Sequence, residues 1–125
     1  MMLKSQSQNL IQENIVLTKA LKNAAIYWDI TNKQLGDIIG LSEPTISRLK
    51  NGQYMLDAKT KSWQLAVLFL RIFRALNSYM GGNTENERLW LKSNNLALGG
   101  IPLNLMYKVE TMPSVIEYID YMRGQ

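Results

Sequence analysis

The stretch that most constrains this fold is Thr31 to Gly52, TNKQLGDIIGLSEPTISRLKNG. Two short helices joined by a tight turn need a small residue where they cross and a glycine in the left-handed turn. They also need apolar residues flanking the turn and an apolar pair inside the second helix. Gly36, Gly40, Leu41 and the pair Ile46/Leu49 supply these in order. Thr31 is placed to cap the first helix, whose Leu35, Ile38 and Ile39 face inward. Ser42 caps the second, followed by Glu43 and by Pro44, which is tolerated in a first turn. The second helix stops at Asn51-Gly52. The pattern predicts a helix-turn-helix.

With Ile46 and Leu49 buried, helical geometry puts Pro44, Ser47, Arg48 and Asn51 on the outer face, with Glu43 at its N-terminal edge. A recognition helix meets bases mainly with its N-terminal half, which makes Glu43, Pro44, Ser47 and Arg48 the candidate readers. Arg48 has the geometry to grip guanine O6 and N7 bidentately. Glu43 either accepts from cytosine N4 or only stabilises the helix N-terminus. Ser42 completes the start of that helix. Lys33, Lys50 and the early amides of the helix beginning at Asn32 are better placed for phosphates. The competing reading is a helical hairpin inside a bundle, with Arg48 and Lys50 merely solvated. The stretch resembles the Cro and lambda-repressor class, often called Xre-like. That resemblance implies a DNA-binding domain that works as a two-fold dimer on paired half-sites.

Apolar residues recur at helical spacing almost everywhere else, and no segment alternates as a strand does. Leu17, Leu21, Ala24 and Trp28 mark the inner face of a first long helix. After a connector, Gln53 to Asp57, a long helix is expected from about Ala58 to Met80. Within it, WQLAVLFLRIFRAL is apolar nearly all round, and Arg71 and Arg74 share a face. Such a helix is either a central core helix or one that also makes a dimer seam. Gly81-Gly82-Asn83 is the strongest breaker, and Thr84 with Glu87 reads as a capping box for a helix through Lys92. Ser93-Asn94-Asn95 and Leu98-Gly99-Gly100 are turn chemistry, and Pro102 can open a short helix. A last helix, about Pro113 to Met122, carries Val115, Ile116, Ile119 and Met122 on one side. The fold class is all-α. The chain divides into a helix-turn-helix region, 1–57, and a helical dimerisation and partner-binding region, 58–125.

Composition excludes much chemistry. The chain has no His, hence no imidazole base and no Ser-His-Asp triad, and no Cys, hence no disulfide or thiolate nucleophile. No metal or cofactor is expected. The net charge is +4, with eight Lys/Arg against five acids up to Lys61 and six against five beyond. That tilts mildly toward a polyanionic partner. The polar start offers no signal peptide, and the run Trp63 to Phe73 is too short and polar to span a bilayer, so a cytoplasmic location is expected.

The run RIFRALNSYMGGNTENERLWLKSNNLALGGIPLNLM resembles the C-terminal domain of Xre/MbcA/ParS antitoxins. The matching residues are Arg71 to Leu76, Gly81-Gly82, Trp90-Leu91, Asn95, Leu98-Gly99-Gly100, Pro102-Leu103 and Leu105-Met106. The ending YIDYMRGQ is similar to that family's closing Tyr-Leu-Asp-x-Met-Arg-Gly. One departure is Thr111, followed by Met112-Pro113, where the family commonly has Gly before its last helix. The resemblance implies a type II antitoxin that binds a RES-domain toxin, an enzyme class that consumes NAD. It further implies that the chain's end obstructs the toxin's NAD pocket, and that antitoxin or complex represses its own operon. Carried onto this sequence, the toxin-facing residues are Tyr118, Asp120, Arg123 and Gly124, with neighbouring Tyr121 and Gln125. The segment containing Leu98, Gly99, Gly100 and Pro102 joins them. The Gly99-Gly100 pair has no dinucleotide or P-loop pattern around it and reads as a turn.

Two other readings compete with an antitoxin. One is a phage- or host-type repressor whose C-terminal half only dimerises. The other is an enzyme using paired carboxylates such as Glu85 and Glu87, though acids are expected in a first helical turn anyway. The expected chain is therefore not an enzyme. Its expected partners are operator DNA, a RES-domain toxin and a second copy of itself.

Overall fold

The computed structural model describes residues 2–124, with side-chain environments from residue 6 onward. Among these residues the order is α1 (Met2–Trp28), α2 (Asn32–Ile39), α3 (Glu43–Lys50), α4 (Lys61–Tyr79), α5 (Thr84–Lys92), α6 (Pro102–Leu105) and α7 (Met112–Arg123). The all-α expectation holds. The sole bridge pairs Asn95 with Gly100 and closes the turn between α5 and α6.

The helix pair α2–α3 forms for the local reasons visible in its residues. Thr31 accepts from the Gln34 backbone while the Gln34 side chain accepts from the Thr31 amide, a reciprocal cap. Gly40 ends α2 at φ 79°, a left-handed conformation that a side chain would strain. Ser42 Oγ accepts from the Thr45 amide and caps α3. Leu35, Ile38, Ile39, Ile46 and Leu49 are all buried.

α4 is the hub, packing on α1, α2 and α7. Its Phe69 and Phe73 hold the Trp28 indole, with ring centroids 5.4 and 5.0 Å away. Ala66, Leu70, Ile72, Ala75 and Leu76 complete its buried side, while Val67 is exposed. The core-helix role is therefore filled within one chain. α7 contributes Met112, Val115, Ile116 and Ile119 to the same core, and Leu56 lies in it too. The apolar core thus runs unbroken across the expected 57/58 division.

Two boundaries differ from expectation. α4 begins at Lys61 and not near Ala58, because Asp57 Oδ1 accepts from the Lys59 amide and Thr60 folds back onto the Asp57 carbonyl. That turn places Thr60 to cap the helix at Trp63. The second difference is at α5. Its cap is Asn83, whose side chain accepts from the Asn86 amide, and Thr84 is already helical.

Glu87 makes no capping box. It is fully buried and turned toward the end of α1. Trp28 Nε1 donates to Oε1 at 3.2 Å, and Asn77 Nδ2 donates to Oε2 at 3.1 Å. The Tyr27 hydroxyl lies 3.0 Å from Oε2 and 2.7 Å from the Gly82 carbonyl, one proton serving two acceptors. Next to it, Arg88 donates to the carbonyls of Tyr27 and Ile26, and Lys92 to that of Asp29. The Tyr27 carbonyl is one that a helix leaves unpaired at its C-terminus, the Ile26 carbonyl also accepts from the Asp29 amide, and Asp29 follows the last helical residue. Asp29 itself takes the left-handed conformation usual for glycine there, at φ 54°. α5 thus completes the end of α1. Glu85 stays exposed, so the two acids share no site and a paired-carboxylate centre is ruled out geometrically.

Thr111, where the resembling family commonly has Gly, sits at φ −109°, ψ −19°. That is ordinary right-handed backbone, so no glycine is required. Its hydroxyl donates to the Leu105 carbonyl at 2.6 Å, tying the end of α6 to the start of α7.

Candidate functional site

Two surfaces carry the candidate residues. The first is the outer side of α3. Ser42, Glu43, Pro44, Arg48 and Asn51 are exposed and Ser47 is half-buried, while Ile46 and Leu49 anchor the helix beneath them. The geometry adds Thr45, which periodicity had not singled out. Its hydroxyl lies 2.7 Å from Ser42 Oγ and accepts from Arg48 Nη2 at 3.1 Å. This chain lays the guanidinium along the N-terminal half of α3, where a recognition helix makes its base contacts.

The flanking cations divide. Lys33 is exposed and pairs with Asp37 one turn on, at 3.0 Å. The hydrogen bond and charge of Asp37 raise its pKa. Lys50 is half-buried and donates to Asn32 Oδ1, stitching the end of α3 to the start of α2. Burial, and then the nearby Lys22 ammonium, lower its pKa. Lys22 in turn donates to the Lys50 carbonyl at 2.9 Å, as a cation at a helix C-terminus should. Asn32 and Lys50 are therefore committed to each other first, and Lys22 joins them at the edge of the same face.

The second surface lies on the α5–α7 side. Tyr121, Arg123 and Gly124 are exposed, and Gln125 lies outside the described residues. Asp120 bridges Arg71 at 3.5 Å and Arg123 at 3.7 Å, both pairs well exposed and so worth little to stability. Tyr118 is half-buried and stacks on Trp90, with centroids 6.5 Å apart and planes 15° from parallel. Within the α5–α6 connection, the Gly99 and Gly100 amides both donate to the Asn95 carbonyl, and the Leu98 amide to Asn95 Oδ1. These amides are spent on the turn, which leaves no phosphate cradle. Leu98 is half-buried and Pro102 is buried, so Pro102 sets the position of its neighbours and presents no side chain of its own. Leu96, which the sequence pattern did not flag, is the side chain that the turn exposes, at 91%.

These two surfaces coincide with two known domains. Residues 10–71 match the antitoxin Xre-like helix-turn-helix domain, and residues 75–124 match the antitoxin Xre/MbcA/ParS C-terminal toxin-binding domain. The chain belongs to the Xre family of antitoxins. The two matches meet inside α4, so this hub helix serves both domains of the antitoxin. Compared one by one with curated proteins, the antitoxin has no significant match. Among the described residues, no helix is long and apolar enough to cross a membrane, and no cluster of acidic residues is placed to hold a metal ion. Both matched domains are antitoxin domains.

Proposed function

We propose that this antitoxin neutralises a RES-domain, NAD-consuming toxin and represses its own operon as a cytoplasmic homodimer. The observation that carries the reading is the coexistence, on one continuous core, of an exposed recognition face and a toxin-binding domain. The end of α7 and the residues after it, Tyr121, Arg123, Gly124 and Gln125, enter the toxin's nucleotide pocket. There Arg123 offers a planar donor fork to carboxylates or phosphate-binding groups, and Tyr121 a rigid ring with a polar tip. No cofactor takes part on the antitoxin's side.

On DNA, Glu43, Pro44, Ser47 and Arg48 read bases, helped by Ser42 and Asn51. Lys33, Lys50 and the early amides of α2 at Asn32 hold phosphates, the Lys50 ammonium keeping further donors beside the one given to Asn32. Replacing Arg48 with alanine is expected to weaken the cognate operator by about 1–3 kcal/mol and leave random DNA nearly unaffected. Equal losses on both DNAs in a binding titration would make Arg48 a phosphate contact.

The toxin half of the reading is tested by co-expression with the protein of the adjacent gene, following growth and cellular NAD. Collapse of NAD and arrest, both reversed by this chain, is the expected result. A harmless neighbour that does not co-purify would overturn it.

A further inference from the structure

The toxin-binding domain exposes an apolar groove that none of the tail residues lines. It runs between the end of α4 and the outer side of α5, holds about 500 Å³, and is lined by Tyr79, Met80, Asn86, Leu89, Trp90 and Ser93. Leu89, within α5, is 67% exposed and Tyr79, at the end of α4, 45%, and together with Trp90 they form one contiguous apolar patch. Neither position is explained by the fold. Leu91, two residues on, fills the core from α5, and Leu76 does so from α4.

Three observations name the occupant. Every lining residue falls within 75–124, the span that matches the toxin-binding domain. The groove is continuous with the α7 surface, because its Trp90 is the ring on which Tyr118 stacks. Its make-up is also that of a protein interface, with Tyr79, Trp90, Met80 and Leu89 among its six lining residues and only Asn86 and Ser93 polar. A nucleotide or polar metabolite would find no charged partner among these six residues.

We propose that this groove is a second toxin contact, taking an apolar segment of the toxin surface outside its nucleotide pocket. The tail then blocks chemistry, while the groove supplies affinity and partner choice. The proposal rests on the toxin reading above, and its test keeps the two apart. Binding of the purified adjacent-gene protein is measured by calorimetry for the full-length chain, Leu89→Glu and Leu89→Met. Leu89 is exposed, so thermal unfolding and operator binding of both variants should stay at the wild-type level.

Leu89→Glu is expected to weaken toxin binding at least ~10-fold, the loss typical of a central interface residue. Leu89→Met, which keeps size and apolarity, should stay within ~3-fold of wild type. If Leu89→Glu binds like wild type, the groove assignment falls and the toxin reading stands. If the wild-type chain itself does not bind, both fall together.

Discussion

Glu87→Ala is expected to lower the unfolding free energy by about 3–5 kcal/mol, measured by urea denaturation of the full chain. The side chain is fully buried, and alanine would strand the Trp28 indole N–H, leave the Asn77 amide only the Tyr27 hydroxyl as acceptor, and remove one of two acceptors from Tyr27. A cavity the size of a carboxymethyl group would add to that loss. Glu87→Gln keeps an acceptor but turns an NH₂ group toward donors, so about 1–2 kcal/mol is expected there. Domains of this size are stable by roughly 5–15 kcal/mol, which makes the alanine variant marginal. A loss below about 1 kcal/mol would mean that water replaces the carboxyl group and the cluster is not sealed.

The second large effect is at Gly36. A Cβ built there meets the Leu41 carbonyl oxygen well inside van der Waals contact, and Ile46 Cγ1 at 3.4 Å. The obstruction is backbone in the turn between α2 and α3, so it cannot be relieved by moving a flexible side-chain end. Gly36→Ala should cost about 2–3 kcal/mol, the upper part of the range for overpacking. It should also weaken specific DNA binding by more than the unfolded fraction accounts for, because α3 must move relative to α2. Retained operator affinity in a fully folded Gly36→Ala protein would show that the turn yields without displacing α3.

The contrast between these two residues shows where the sequence is legible. Gly36, Gly40, Ser42, Ile46 and Leu49 act within a few residues of one another, and each answers a local steric or hydrogen-bonding need. Their spacing therefore specifies the structure directly. The inner face of α1 and most of the α7 boundary follow from helical periodicity for the same reason. Glu87 looks local and is not. An acid three residues after a threonine fits a capping box, but Asn83 takes the cap one residue earlier. The partners of Glu87 lie about 60 residues away on α1 and 10 away on α4. The available signal was indirect: Tyr27, Trp28 and Asn77 bring three polar groups to buried or half-buried positions, and such groups require partners.

The recognition face was legible in outline, but not the contacts that tie its edge to α2. Periodicity separates Ile46 and Leu49 from Ser47 and Arg48, so it defines the outer side of α3. It cannot say that Lys50 will reach back to Asn32, because that contact depends on how two helices cross. On the other surface, the motif order locates the turn at Leu98-Gly99-Gly100 but not which side chains it buries. Pro102 goes in and Leu96 comes out, a difference decided by the Asn95–Gly100 closure.

The way α5 finishes α1 has a consequence for how such antitoxins diversify. Arg88 donates to the carbonyls of Ile26 and Tyr27, and Lys92 to that of Asp29, at the end of a helix that belongs to the other matched domain and just beyond it. The two halves are therefore not interchangeable cassettes. A chimaera that grafts this toxin-binding half onto another DNA reader inherits Glu87, Arg88 and Lys92 without the residues they were shaped to meet. Such a graft will fold well only when the recipient's first helix ends in an equivalent of Tyr27-Trp28-Asp29. A change of operator specificity by recombination thus has to carry that helix end across with the donor's α5, whereas point changes on the face of α3 are free of the constraint.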